Sequence, residues 1–136
     1  MCYTKNASKS AERGSFLSKF VIREVKSGVK FDLLAGNGEI VATSESYTSQ
    51  ALCRRGIESV RKIAPIAQVE NQTEESFPVL AHPKFQMYQD RSGHFRFRLR
   101  ARNGKIIAVS EAYATKSGCL NGIECVKKSA PEAQTD

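Results

Sequence analysis

The sequence predicts an α+β protein in which two β-β-β-α repeats share one antiparallel sheet with both helices packed on one face. Three observations lead there. The chain is written twice, since Lys19 to Glu70 matches Lys84 to Asp136 with about two dozen identities in some fifty aligned positions. Each copy passes from alternating apolar residues to an apolar stripe of helical spacing. The chain has 136 residues, 40% hydrophobic and 26% charged, which is ordinary composition for one folded domain.

The first strand of each copy runs from Phe20 to Val25 or Phe85 to Gln89 and stops before Ser27-Gly28 or Ser92-Gly93, pairs suited to a tight turn. The second is clearest from His94 to Arg102, where Phe95, Phe97, Leu99 and Ala101 alternate with arginines. Asn37-Gly38 and Asn103-Gly104 then signal a type I′ hairpin, and a third strand follows over Glu39 to Ser44 or Lys105 to Ser110. A one-residue difference after the first strand shifts the offset between copies from 65 to 66, so that Phe31 aligns with Phe97.

Ser49 and Thr115 are expected to cap helices running to about Ile63 and Ser129. Cys53, Ile57, Val60 and Ala64 form one apolar stripe, as do Cys119, Ile123, Val126 and Ala130. Gly56 and Gly122 lie on the buried side, where glycine costs a helix about 1 kcal/mol relative to alanine. Close approach of helix to sheet accounts for both. Ala64-Pro65 and Ala130-Pro131 end the helices, because proline lacks an amide hydrogen and disfavours helix in the residue before it.

Residues 1–18 are expected to be a flexible basic arm, 19–70 the first repeat, 71–83 a linker and 84–136 the second repeat. A unit of about fifty residues is near the lower limit of independent stability, so the repeats should fold as one body. Phe77, Val79 and Leu80 of the linker are candidates to cover a sheet edge.

The net charge of +7 and pI near 9.4 permit acidic partners without naming an activity. No apolar run is long enough to span a bilayer, and the first eighteen residues lack the apolar core of a secretory signal, so a cytoplasmic protein with no membrane contact is expected. Cys2, Cys53, Cys119 and Cys125 form no CxxC pair, and His82 and His94 have no ligand spacing to them. No metal site or cofactor is expected, and the helical cysteines are expected to pack as small buried hydrophobes.

Two constellations carry chemistry. Ser44, Glu45 and Tyr47 recur as Ser110, Glu111 and Tyr113 where the third strand meets the helix. A hydroxyl, a carboxylate and a phenol near a helix start could bind a ligand or move protons. They could equally pack under the helix and satisfy backbone amides. No histidine, cysteine nucleophile or lysine base repeats beside them, and no phosphate-binding glycine loop occurs. The second constellation is Arg96, Arg98, Arg100 and Arg102, expected on the open sheet face about 6.7 Å apart. That spacing suits successive phosphates, but the aromatics of this strand face the core, which leaves Tyr88 on the adjoining strand as the one candidate stacking platform. The plain alternative is a solvated charged face paired across the sheet with residues such as Glu39 or Glu111. Lys30, Asp32, Leu34 and Gly36 occupy the matching positions of copy one.

The series Lys84-Phe85, Phe95 to Ala101, Asn103-Gly104, Ile106 to Tyr113 and Asn121 to Lys128 resembles a unit of the YegP-like family, the UPF0339 or DUF1508 group. The resemblance covers both copies. It implies tandem or dimeric β-β-β-α units in a single sheet, with exchange of the short strand after each helix. That strand would come from Ala67 to Asn71 in copy one and from the tail after Pro131 in copy two. The family brings no established activity or catalytic residues.

The function expected is therefore a non-catalytic protein that binds a macromolecular partner, protein or nucleic acid, through the open sheet face or an exposed edge. Sequence-independent binding of single-stranded nucleic acid or RNA by the arginine row is one alternative. An enzyme using Glu45, Tyr47, Glu111 and Tyr113 is another. A monomer with internal pseudo-symmetry is expected rather than a dimer. The positive charge is concentrated in the second copy, which holds ten basic against five acidic residues, against eight and six in the first.

Overall fold

In the computed structural model, which describes residues 18–136, each repeat folds in the expected order. The first supplies β1 (Lys19–Val25), β2 (Gly28–Leu34), β3 (Ile40–Thr43), helix α1 (Gln50–Ile63) and β4 (Gln68–Asn71). The second supplies β5 (Lys84–Gln89), β6 (Phe95–Arg100), β7 (Ile106–Ser110), helix α2 (Lys116–Ser129), a 3-10 turn over Ala130–Glu132, and β8 (Gln134–Thr135). The expected basic arm, apart from Ser18, lies outside the described residues, as does Cys2.

All eight strands form one sheet in the order β4-β5-β6-β7-β3-β2-β1-β8. The repeats meet at its centre, where β3 and β7 pair antiparallel with Ala42 opposite Ser110. Both exchanges implied by the family resemblance are present. Strand β4 leaves the first repeat to pair with β5, Gln68 opposite Lys84, and β8 returns to β1, Lys19 opposite Gln134. The six inner strands are antiparallel, but the two exchanged ones are parallel to their neighbours, so the sheet is mixed. Residues 72–83 join β4 to its parallel neighbour β5, a connection of the length parallel pairing needs, whereas β8 lies at the far end of the chain from its parallel neighbour β1.

Phe20, Phe31, Leu33, Phe85, Phe97 and Leu99 lie on the helix face and are buried with Ile57, Val60, Ile123 and Val126 in one core cluster. The repeat symmetry extends to ring geometry. Phe20 meets Phe31 edge-on at 5.6 Å, and Phe85 meets Phe97 edge-on at 5.8 Å. Cys53 and Cys119 are buried here as free thiols, and burial pushes the Cys119 thiol up to about 12. Ser49 Oγ accepts from the Leu52 amide and Thr115 Oγ1 from the Gly118 amide, giving both helices the expected caps.

The hairpins differ from the sequence expectation in one respect that matters for the site. At Asn37-Gly38 the Gly38 amide donates to Ala35 O and the Ala35 amide to Glu39 O, while Gly38 has φ +89°. This is a three-residue loop ending in a left-handed glycine, not a two-residue type I′ turn. Asn103-Gly104 does the same, with Gly104 at φ +84°. The extra residue is absorbed by register shifts at Leu33/Leu34 and Leu99/Arg100. The offset between copies has a similar origin: Val25 pairs directly with Gly28 in the first hairpin, whereas Asp90 closes on His94 in the second.

Candidate functional site

Face alternation settles which side chains share the open face. Cross-strand partners run Asp32, Thr43, Val109, Arg98, Gln86 and Glu70, one residue per strand from β2 to β4, on the side away from the helices. Arg96 and Arg100 flank Arg98 on β6, and Tyr88 stands opposite Arg96 on β5. Arg102 does not join them. Strand β6 ends at Arg100, and Arg102 is an exposed residue of the hairpin loop, displaced because the three-residue loop begins at it.

Three arginines remain in the row, and their partners differ. Arg96 Nε donates to Asp90 Oδ2 at 2.7 Å, which holds the Asp90 carboxyl below its usual range. Arg98 and Arg100 hold no carboxylate among the described residues. Both donate Nε to one acceptor, Gln86 Oε1, at 2.8 and 2.7 Å. Arg100 Nη1 also donates to Gly104 O at 2.7 Å, and the Arg98 guanidinium lies over the Tyr88 ring at 4.5 Å. Gln86 is itself buried and donates Nε2 to Glu70 Oε1 at 2.9 Å. Two half-buried cations are thus fixed side by side on a neutral amide.

The anchor beneath Gln86 is an ion pair that no local sequence pattern marks. Glu70 and Lys84 meet at 2.6 Å with side chains 1% and 5% exposed. Burial pushes the Glu70 carboxyl up, but Lys84, the Leu80 amide, Gln86 and Gln72 together outweigh it and hold it at about 2. The linker contributes through its backbone: Leu80 N donates to Glu70 and Leu80 O accepts from Lys84 Nζ at 2.8 Å. Val79 stays exposed. Only the repeat alignment carries a signal for this pair, because Lys84 matches Lys19 and Glu70 matches Asp136, and Lys19 bonds Asp136 at 3.1 Å at the opposite edge of the sheet. Arg61 has no such signal. It reaches from α1 to Ala133 O and Thr135 Oγ1, tying the exchanged β8 down, with its guanidinium over Phe20.

In the first repeat the same face is neutralised internally. Asp32, at the position of Arg98, accepts from Arg23 Nε at 2.8 Å and Thr43 Oγ1 at 2.7 Å.

The repeated serine, glutamate and tyrosine turn out to be built into the backbone. Ser44 Oγ accepts from the Phe31 amide and donates to Glu45 O, and Ser110 Oγ does the same with Phe97 and Glu111. Tyr47 and Tyr113 bridge to Val29 and Phe95 by paired backbone bonds and stack on Phe31 and Phe97 at 6.3 Å. Burial, then the neighbouring Cys119 and Glu111, push the Tyr113 phenol up to about 12, so it keeps its proton at neutral pH. Glu45 and Glu111 are exposed on the following turn. A shallow depression adjoins Tyr113 between Asn37, Glu39 and Gly118, where the first repeat has Leu52 in place of Gly118. Cys125 also lines it. Among the described residues, no group of three His, Cys, Asp or Glu side chains could hold a metal ion, and no helix is long and apolar enough to cross a membrane.

Comparison with known proteins agrees with this architecture. The family described as "Domain of unknown function (DUF1508)" matches twice, at residues 26–71 and 90–136. A UPF0339 protein of Pseudomonas aeruginosa is 35% identical over 117 residues, 85% of this chain and 93% of that protein. A UPF0339 protein of Treponema denticola is 62% identical over 50 residues, which span 37% of this chain but 86% of that protein, so one repeat corresponds to nearly all of it. Solution structures of yegP from E. coli, a protein of unknown function, and of a UPF0339 protein from Shewanella oneidensis superpose with TM-scores of 0.71 and 0.72. Their identities are 31% and 27%, covering 89% and 88% of this chain and 92% and 89% of theirs. With the family model matched on both repeats and a related structure superposing over most of the chain, the chain belongs to the DUF1508 (UPF0339) family as a tandem of two of its units.

Proposed function

We propose that the chain is a non-catalytic binding module that docks an acidic macromolecular partner on the open face of its sheet. One observation carries this reading: Arg98 and Arg100 are held in place by Gln86 without any carboxylate to neutralise them among the described residues. Positioned, half-desolvated guanidinium pairs bind acidic groups more strongly than freely moving surface lysines, because less rotamer freedom is lost on contact. The helix face is filled by core, and the first-repeat half of the open face carries its own compensation at Arg23 and Asp32. The second-repeat half is therefore where an acidic partner gains most.

The test is a titration of the full chain with two labelled polyanions, poly-glutamate and a thymidine oligonucleotide, at about 50 and about 200 mM salt. At least one should bind at low salt, and Arg98→Ser with Arg100→Ser should abolish it. Failure of both probes to bind, or binding indifferent to those substitutions, overturns the reading.

A further inference from the structure

The geometry points to single-stranded nucleic acid as the partner, with its phosphodiester backbone running along β6, an inference that rests on the open-face reading above. Arg98 and Arg100 are two residues apart on one face of a strand, so their stems are separated by about 6.7 Å. An extended single strand offers one phosphate per nucleotide at a comparable repeat. The Nε atoms are already spent on Gln86 and Arg100 Nη1 on Gly104 O, which leaves the Nη donors of Arg98 and Arg100 Nη2 for phosphate oxygens.

Further cations stand exposed beyond both ends of the strand, Arg91 in the β5–β6 loop and Arg102 and Lys105 in the β6–β7 loop. Asp90 on this path is occupied by Arg96, on which Glu111 also acts.

What separates a nucleic acid from an acidic polypeptide is the second kind of surface beside the charge. Tyr88 is half-buried next to the row and carries the Arg98 guanidinium over its ring. Bases stack on aromatic rings and on guanidinium planes alike, and an acidic peptide has no flat group to use them. A duplex has its bases turned inward, and reading its groove takes a protruding helix or ribbon, whereas this face is a sheet. The first repeat supplies neither element, since Asp32 and Arg23 stand where Arg98 and Tyr88 stand in the second. The site belongs to one half of a pseudo-symmetric molecule.

The experiment is fluorescence anisotropy of the full chain with three labelled probes: a thymidine dodecamer, a duplex of the same length and a poly-glutamate of similar charge. The single strand is expected to bind about tenfold more tightly than either of the others at low salt. Replacing both Arg98 and Arg100 by Ser should flatten the slope of log K against log salt by about 1.4, since each phosphate contact contributes about 0.7 for single strands. Arg98→Lys with Arg100→Lys should restore most of that slope. Tyr88→Ala should weaken the dodecamer by at least about fivefold while leaving the slope unchanged. If the serine variant melts early, Arg98→Gln with Arg100→Gln gives the same comparison with longer polar side chains.

Poly-glutamate binding through these arginines with no binding of the dodecamer overturns this inference and leaves the open-face reading standing. Equal affinity for duplex and single strand also overturns it, as does a Tyr88→Ala variant with unaltered affinity. Absence of binding to every probe overturns both.

Discussion

At the scale of residues, the sharpest energetic statement concerns Glu70. A carboxylate 1% exposed is tolerable only because Lys84, Gln86, Gln72 and the Leu80 amide supply opposite charge and donors. Its native carboxyl titrates near 2, whereas a free glutamate titrates near about 4.3. As pH falls, the unfolded chain therefore takes up this proton first. The stability it contributes, on the order of 2–3 kcal/mol, is complete above about pH 5 and is lost as acid approaches the native value. Glu70→Gln should be less stable than the parent by about 3 kcal/mol at pH 7, because Lys84 stays buried without its counter-charge. Urea unfolding from pH 7 to pH 3 should show that gap narrowing with acid. A gap constant across the range would mean that Glu70 is not held as the geometry implies.

At the scale of elements, each helix is seated by one glycine. A Cβ on Gly56 would lie 2.7 Å from Tyr47 Cζ and 3.2 Å from Phe31 Cε2, closer still to the Tyr47 hydroxyl, and Gly122 meets Tyr113 and Phe97 in the same way. Alanine would favour the helix by about 1 kcal/mol and yet lift it from the sheet, an overpacking cost of about 1–3 kcal/mol. Gly56→Ala should therefore lower the melting temperature, and Tyr47→Phe in the same chain should recover part of the loss by removing the nearest atom. A rise in melting temperature with Gly56→Ala would show that the helix moves without cost. This much was legible in the sequence, because a glycine that recurs on a buried helical stripe against its own propensity marks a place where a side chain would not fit. The caps, the apolar stripes and the alternating faces were legible for a related reason, since each is a local pattern. The three-residue loops were not: Asn-Gly also suits a left-handed glycine after a longer turn, and only pairing across the hairpin separates the two. The exit of Arg102 from the row follows from that loop. Likewise Gln86 is an ordinary residue in the sequence, and its hold on Arg98 and Arg100 emerges only once β5 and β6 are in register.

At the scale of the whole molecule, the exchanged strands decide what the fold unit is. Neither repeat owns a complete sheet: β4 closes the second repeat, β8 closes the first, and β3 pairs with β7 between them. The one covalent connection, residues 72–83, is exposed from Glu74 to Ser76 and adds to this arrangement the Leu80 contacts and the bonds of Gln72 to Glu70 and Met87 O. A relative corresponding to a single repeat shows that the linker is not intrinsic to the unit. Cutting the chain within Glu74 to Ser76 should consequently leave the two fragments together, because the core and two parallel strand pairs cross the cut. The nicked protein should co-elute as one species in gel filtration and lose stability mainly by becoming concentration-dependent, as for any folded complex of two chains. Each fragment alone should lack the strand its partner supplies and expose a seven-residue β1 or a six-residue β5 as an open edge. Separate elution of folded, monomeric fragments would mean that each repeat is a domain in itself, and that the strand exchange decorates the fold without defining it.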